Sequence, residues 1–355
     1  IISIILLVLS YLSFWIPPHV SSLLPLMGLA YPFVMPVVAG LLVLAALMKS
    51  RAAWLLAVIW CIGLPHFFSY YQFFNGNESS LGSSISDSKF MSWNVNLLGY
   101  NKANQLVKMK SEDIRDSIVK VLELENPDVI AFQEFLQTNE LDHIGLIKSR
   151  IGYPFHHVKF STSKRSGRKT GLVLFSKFPI VQSGQVVFSG TTLNGCIFID
   201  ILKNQDTLRI YNLHLQSIRF GAEDYEFLEE DKEELTGVSR IVSRLRKAFI
   251  RREDQVHAIR EHMKSCGYPM IVMGDFNDPP MSYTYRVMSE DMVDAFREKG
   301  KWMSSTYAGK FPNFRIDYIM TSEDAGLVSS YQTLPIELID HRPVVVTVQN
   351  DVKSN

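Results

Sequence analysis

The stretch that decides the fold is Met270–Asp278, MIVMGDFND. Four apolar residues lead to a glycine and then to Asp275 and Asn277, two apart. The run reads as a buried strand that stops at a Gly and presents a carboxylate and a carboxamide at its end. Period-2 alternation places both side chains on one face. Such a pair suits holding a hydrated metal and a phosphoryl oxygen. Asp and Asn also fill turns by local hydrogen bonding. The stretch therefore draws its weight from similar clusters elsewhere.

Four other clusters share its grammar, an apolar run interrupted or ended by a metal-capable or acid/base residue. Phe90–Asn96 is FMSWNVN, with Asn94 polar inside a strand, and Pro127–Phe135 is PDVIAFQEF, delivering Gln133 and Glu134. Tyr211–Ser217 is YNLHLQS, with Asn212 and His214 two apart. The C-terminal part has Arg315–Tyr318, RIDY, and Ile339–Val344, IDHRPV, giving Asp317, Asp340 and His341. Singly, each has a bland explanation: a strand Asn satisfies a bulge, a Glu caps a helix, a lone His is a satisfied core imidazole, Asp340 caps a turn. The set is harder to dismiss. Hard oxygen ligands hold Mg²⁺, which neutralises phosphoryl oxygens and a leaving group. A carboxylate or imidazole orients and deprotonates water. Cysteine and paired-histidine zinc spacings are missing, and no GxSxG or Walker pattern competes.

These clusters, in this order, resemble the endonuclease/exonuclease/phosphatase superfamily of DNase I-like fold, over about residues 88–349. The resemblance implies an α+β, four-layer α/β/β/α sandwich that cleaves phosphoesters with a divalent metal, Mg²⁺ first, with Mn²⁺ or Ca²⁺ as alternatives. By motif, Asn94 and Glu134 would anchor the metal, with Asp340 completing the metal or base site. Asp275 would position or deprotonate the water and Asn277 would contact the scissile phosphate. His341 would act at the phosphate, oriented by Asp317. His214, in an Asn-x-His-Leu context, looks like the DNase I and sphingomyelinase branches, where a second histidine serves the leaving-group or phosphate side. Abasic-site repair members tend to carry tyrosine there. Asn96 departs from members with an acid two residues after the strand Asn, which puts that ligand position in doubt.

The N-terminal part has different physics. Residues 1–75 contain no Asp or Glu and only Lys49 and Arg51 as basic residues. Three uncharged apolar stretches, Ile1–Ile16, Val20–Met48 and Ala52–Phe74, predict about three transmembrane helices, the first of them short for a span. The chain opens on Ile rather than Met, so upstream residues are expected to be missing. Lys49 and Arg51 form the single basic loop, which by the positive-inside tendency is cytoplasmic. That places the rest of the chain outside the cytoplasm. Together with the motifs above, these helices resemble membrane-anchored superfamily proteins of bacteria, which implies a bacterial inner membrane. Residues 76–88 read as a polar linker and 89–350 as one large domain. All 36 acidic residues but 34 of the 36 basic ones follow residue 75, leaving a net charge of −2 there. A general positive field for long nucleic acid is thus not expected. Cys61 lies in a span; Cys196 and Cys266 could pair in an oxidising compartment, but free buried thiols are favoured.

Alternating short strands and a few helices, with Cys196–Ile201 pairing Thr207–Leu213, favour a mixed sheet sandwich over a doubly wound parallel sheet. Ser111–Leu124 and Val238–Lys264 read as helices. Arg240, Arg244, Lys247 and Arg251 share one face of the second, opposite Ile241, Val242, Leu245 and Phe249. They suggest either a solvated face or contacts to substrate phosphates or anionic headgroups. Gly152–Lys169, with His156, His157, Lys164, Arg165, Arg168 and Lys169, reads as a basic loop that either touches an anionic substrate or is simply solvated, and Asn212 joins Arg168 as a candidate substrate residue. The expected function is a membrane-tethered, Mg²⁺-dependent phosphoesterase acting on nucleic acid or a lipid headgroup, ranked narrowly toward a nuclease-type phosphodiesterase. A phospholipid- or sphingomyelin-type phosphodiesterase or phosphatase is the alternative, and a silent phosphate-binding module the alternative from another class. No protein partner is inferred.

Overall fold

Apolar runs become strands where both faces are covered, and here two sheets cover each other. The computed structural model describes residues 2–73, 87–101, 105–164, 167–189, 194–203, 205–218, 237–309 and 313–349. One sheet runs, in spatial order, β13 (Leu327–Thr333), β14 (Val344–Gln349), β2 (Ser88–Asn94), β3 (Val129–Gln137), β5 (Lys169–Ser176) and β4 (Phe155–Thr162). The other runs β10 (Val293–Asp294), β12 (Asp317–Thr321), β9 (Met270–Asp275), β8 (Asp206–His214), β7 (Gly195–Lys203) and β6 (Ile180–Val186). Neighbours are antiparallel except β2 with β3 and β8 with β9.

Parallel neighbours need a long crossover, and helices supply it. The first, α4 (Ser111–Glu125), lies between β2 and β3, and α6 (Gly237–Lys264) between β8 and β9. In α4, Ile114, Ile118 and Leu122 repeat every four residues and pack on Trp93 and Phe132, together with Ile147 of α5 (His143–Ile151). Val256, Ile259 and Met263 of α6, with Val287 of α7 (Tyr283–Ser289), cover Tyr211 and Val272. Between the sheets, Phe90, Leu174, Ile199, Ile210, Ile319 and Val346 form the central core. The result is the expected α/β/β/α sandwich.

The N-terminal helices are α1 (Ile2–Trp15), α2 (Leu24–Leu47) and α3 (Ala52–Phe67), packed around Leu7, Tyr31, Met35, Val38 and Leu56. Among the described residues only α2 is long and apolar enough to cross a membrane. Just 17% of its most apolar stretch is buried, unlike the core helix of a soluble domain. Pro32 and Pro36 lie inside it, and α1 and α3, at 14 and 16 residues, are shorter than the expected spans. A two-stranded ribbon joins β1 (Tyr71–Gln72), just after α3, to β11 (Trp302–Met303), which follows α8 (Ala295–Lys299).

Some expectations are corrected. Gly152–Lys169 is not simply a loop: it contains β4, whose His157 bonds the Gly184 carbonyl and whose His156 packs against Phe175. Strands β4, β6 and β13 escape a search for apolar runs because half-buried strands alternate with polar residues. Cys61, Cys196 and Cys266 are free thiols, with Cys266 partly exposed. The acidic stretch Glu223–Glu234 and the side chains of Arg240 and Ile241 lie outside the described residues.

Candidate active site

Three adjacent strand ends of one sheet bring the acid/base groups together. Asp275 of β9 is the register partner of His214 on one side and of Asp317 on the other. This close packing depends on Gly274, at φ +143°, where a Cβ would collide with the Leu213 carbonyl of β8. Asp275 is buried and its Oδ1 accepts the Asn277 N–H at 2.8 Å. Burial, then the charge of Asp317, raise its pKa, opposed by His341 and His214.

His341 faces Asp317, with Nδ1 3.0 Å from Oδ2 and 3.2 Å from Oδ1. Its own carbonyl accepts Trp93 Nε1–H at 3.0 Å, which fixes the backbone. Burial lowers the pKa of this imidazole, but Asp317 and then Asp275 outweigh burial and raise it to about 10. His341 is therefore a cation at neutral pH. Asp317 is braced in turn, since Thr306 Oγ1 accepts its backbone N–H at 3.0 Å.

The second sheet supplies oxygen-rich groups. Asn94 ends β2 opposite Gln133 of β3. A bulge between Phe132 and Phe135 puts Glu134 at φ +49° and turns it away from the inward-facing Gln133. Asn94 Nδ2 lies 3.0 Å from Asp275 Oδ2 and 3.5 Å from Glu134 Oε1. After β2, Asn96, Leu97 and Leu98 all take positive φ. That turn is costly for L-residues, and it aims Asn96 Nδ2 at Asp340 Oδ1, 2.6 Å away. With its amide nitrogen committed to a carboxylate, Asn96 presents Oδ1 as a buried acceptor with no hydrogen-bond partner among the described residues.

The expected set is thus largely assembled: Asn94, Glu134, His214, Asp275 and His341 lie within 4 Å of at least one other member, and Asp317 bonds His341. His214 Nε2 stands 3.6 Å from Asp275 Oδ2 and 3.8 Å from Glu134 Oε1, buried and without a hydrogen-bond partner among the described residues. Asp340 connects through Asn96 rather than directly.

Asn277 does not extend the strand alternation. It leaves β9 at φ +54°, and its Nδ2 donates to the Leu215 carbonyl at 3.0 Å. Asn212 is not a substrate residue: it is fully buried, donating to the carbonyls of Phe132 and Val173 and accepting from Gln133. It ties the two sheets together. Arg168 is exposed at the β4–β5 hairpin, beyond the end of β3 that carries Glu134. On α6, Arg251 reaches Gln216 at 3.5 Å, two residues past His214.

Sequence patterns passed over several supporting residues. Arg252 of α6 is fully buried, pairs with Asp278 at 2.7 Å and donates to the Asn277 carbonyl. Gln255, one turn on, accepts the Gln216 N–H at 2.8 Å. One helix thereby clamps the loops after His214 and after Asp275. The only available signal was charge inside an apolar helix face.

The residues fit a divalent cation. Asn96 Oδ1 is an orphaned buried acceptor beside Asp340 and Asn94, and the carboxylates Asp275 and Asp317 repel each other. Donor atoms of Asp275, Asp317 and His341 also lie within 4.8 Å of one another. A hard cation prefers oxygen donors to an imidazole already bonded to Asp317, so the oxygen set Asn94, Asn96, Glu134 and Asp340 suits it better.

Residues 91–340 match the endonuclease/exonuclease/phosphatase family, and residues 1–70 match a family described as a domain of unknown function, DUF8431. No curated protein matches the chain. Among solved structures, an endonuclease/exonuclease/phosphatase from Beutenbergia cavernae DSM 12333 is similar at 15% identity and TM-score 0.55, covering 75% of this chain and 72% of that one. The human Nocturnin catalytic domain with bound sulfate anion is similar at 19% identity and TM-score 0.54, covering 74% and 94%. A Leptotrichia buccalis C-1013-b endonuclease/exonuclease/phosphatase family protein gives 16%, 0.53, 74% and 99%. At these identities the likeness is one of fold.

Proposed function

The chain belongs to the endonuclease/exonuclease/phosphatase family of phosphoric ester hydrolases, and from that premise we propose that it is a divalent-metal-dependent, nuclease-type phosphodiesterase held at a membrane. The observation that carries this reading is Asp275 flanked in register by His214 and Asp317, with His341 charged beside them.

In this account Asp275 takes the proton of the attacking water, and its raised pKa makes it a stronger base than an exposed carboxylate. His341, held by Asp317, gives positive charge and an Nε2–H to a non-bridging phosphoryl oxygen as negative charge grows there. His214 Nε2, unpartnered in the fold, stands free to protonate the departing oxygen as the P–O bond breaks. Asn277 fixes the loop after β9 through the Leu215 carbonyl and would contact the scissile phosphate. A divalent cation held by Asn94, Asn96, Glu134 and Asp340 would neutralise charge on the phosphoryl oxygens and the leaving group.

One observation favours a second substrate, a phospholipid- or sphingomyelin-type headgroup. The N-terminal helices dock directly on loops leaving the site. Tyr70 Oη accepts the Met281 N–H at 3.0 Å, and Arg315, two residues before Asp317, donates to the Ser69 carbonyl at 2.8 Å. Backbone of α2 passes so near that a Cβ at Gly28 would collide with the Met281 carbonyl. We read residues 1–75 as the membrane region and 89–350 as the catalytic domain, with Lys49 and Arg51 on the cytoplasmic side of a bacterial inner membrane.

The test uses the full chain in detergent or nanodiscs, because Ser69 and Tyr70 are built into the catalytic domain. Plasmid DNA, RNA, sphingomyelin, phosphoinositides and a p-nitrophenyl phosphodiester are offered with Mg²⁺ and with chelator. Metal-dependent cleavage of a diester supports the reading. Binding without turnover, unchanged in D275N and H341A, would instead mark a silent phosphate-binding module.

A further inference from the structure

We propose that the ribbon of β1 and β11 is an interfacial seat by which the catalytic domain rests on the lipid surface beside its own helices, with phospholipid as the occupant. This rests on the reading of α1–α3 as membrane helices.

The ribbon exposes what a water-facing surface would bury. Trp302 is 72% exposed, Met303 53% and Phe73 49%, with Phe73 edge-on to Trp302 at 5.9 Å. Trp302 also takes φ +56°, a left-handed conformation that a bulky residue seldom adopts. The indole is held outward, edge-on to Phe73, open to a contact from outside the domain.

Its position names the contact. The pairing of Tyr71 with Met303 and of Gln72 with Trp302 begins four residues after α3 ends, where that helix leaves the apolar bundle. Trp15, ending α1, lies beneath the Arg286 guanidinium of the catalytic domain at 5.5 Å. Phe33 of α2 meets Phe314 edge-on at 6.3 Å. Aromatic side chains thus gather at the domain end of the bundle, as they do where membrane helices meet the headgroups. Lys49 and Arg51 lie between α2 and α3 at the other end. Arg297, Lys299 and Lys301 precede Trp302 against the single Glu298, a charge balance that suits anionic headgroups. Continuity with the bundle selects lipid over a second copy of the chain.

The seat is also joined to the chemistry. From Met303 the chain runs to Thr306, which accepts the Asp317 N–H, and to Tyr307, which bridges His341. Four residues span at most about 14 Å. The Asp317–His341 side of the site therefore lies near the headgroup level, within reach of a phosphoester carried at the surface.

Tryptophan quenching by brominated phospholipids in nanodiscs tests this on the full chain. Trp302→Phe keeps the aromatic contact, so the difference between wild type and W302F reports Trp302 alone. The expected result is a difference signal quenched by lipids brominated near the headgroup end of the acyl chain and protected from aqueous iodide. A difference signal that bromolipid leaves intact overturns the seat, whether iodide reaches it or a second copy shields it. Trp15, Trp54, Trp60 and Trp93 remain in W302F; W93F subtracts the buried core tryptophan, and the first three report on the bundle. If their emission is also unquenched, the membrane reading falls with the seat; if they are quenched and Trp302 is not, only the seat falls. Unchanged hydrolysis of a soluble diester by W302F in detergent verifies folding.

Discussion

His341 Nδ1 lies 3.0 Å from Asp317 Oδ2 with both side chains buried, and Asp317 is the register partner of Asp275. One carboxylate thus holds the imidazolium while pressing on the second carboxylate. Burial opposes the charge on His341, yet Asp317 and Asp275 raise it to about 10 from 6.5. A histidine raised on folding stabilises most below its unfolded value and loses that contribution as pH climbs to the folded one. Urea unfolding of the metal-free protein should show stability falling between about pH 6.5 and 10. D317N, lacking the main attraction, should show a much flatter profile there.

Asp275 is also raised in pKa, but there the charged form is the one that folding disfavours. Its folded pKa is raised by burial and by Asp317, so its ionised form is a cost to the metal-free fold at neutral pH. D275N should raise the Tm without metal while cutting kcat by about 100- to 10,000-fold. A loss of activity accompanied by a loss of stability would show Asp275 to be a structural group instead.

Asn96 offers a carboxamide oxygen at a position that points toward the oxygen set. Asn96→Asp adds charge to that set and should lower the Mg²⁺ concentration for half-maximal activity roughly tenfold. Without metal the same change sets two carboxylates against each other at Asp340 and should lower Tm. Metal titration of activity and of thermal unfolding together read both effects.

Asn212 separates architecture from chemistry. Asn212→Ala strands the carbonyls of Phe132 and Val173 and the Gln133 amide inside the core. The expected loss is about 3 kcal/mol of stability, with kcat per folded molecule little changed. A large fall in kcat in protein that remains folded would return Asn212 to the site.

Much of this site was legible because its residues end apolar strands, and short motifs survive without any view of tertiary structure. GDFND marked the polar end of β9, QEF the bulge in β3, RIDY the start of β12 and IDH the approach to β14. What stayed hidden depends on partners remote in sequence. The Asn212 amide looks equally suited to substrate or core until Gln133 and two carbonyls are seen around it. Arg252 reads as part of a basic helix until Asp278 and the Asn277 carbonyl close on it. Asn277 obeyed period-2 alternation on paper, but β9 stops at Asp275, and a left-handed turn redirects the next side chains. The edge strands β4 and β6 carried too little apolar signal to stand out from loops. Nothing in the ribbon's two short segments linked Tyr71 to Met303.

The most direct test of the central claim is hydrolysis of a phosphodiester panel by the full chain in nanodiscs, with D275N and H341A measured in parallel. The account predicts diester cleavage that requires added divalent metal, stops with chelator and drops by orders of magnitude in both folded variants. Turnover of no phosphoester by folded wild-type protein, or turnover that survives both substitutions, would contradict it.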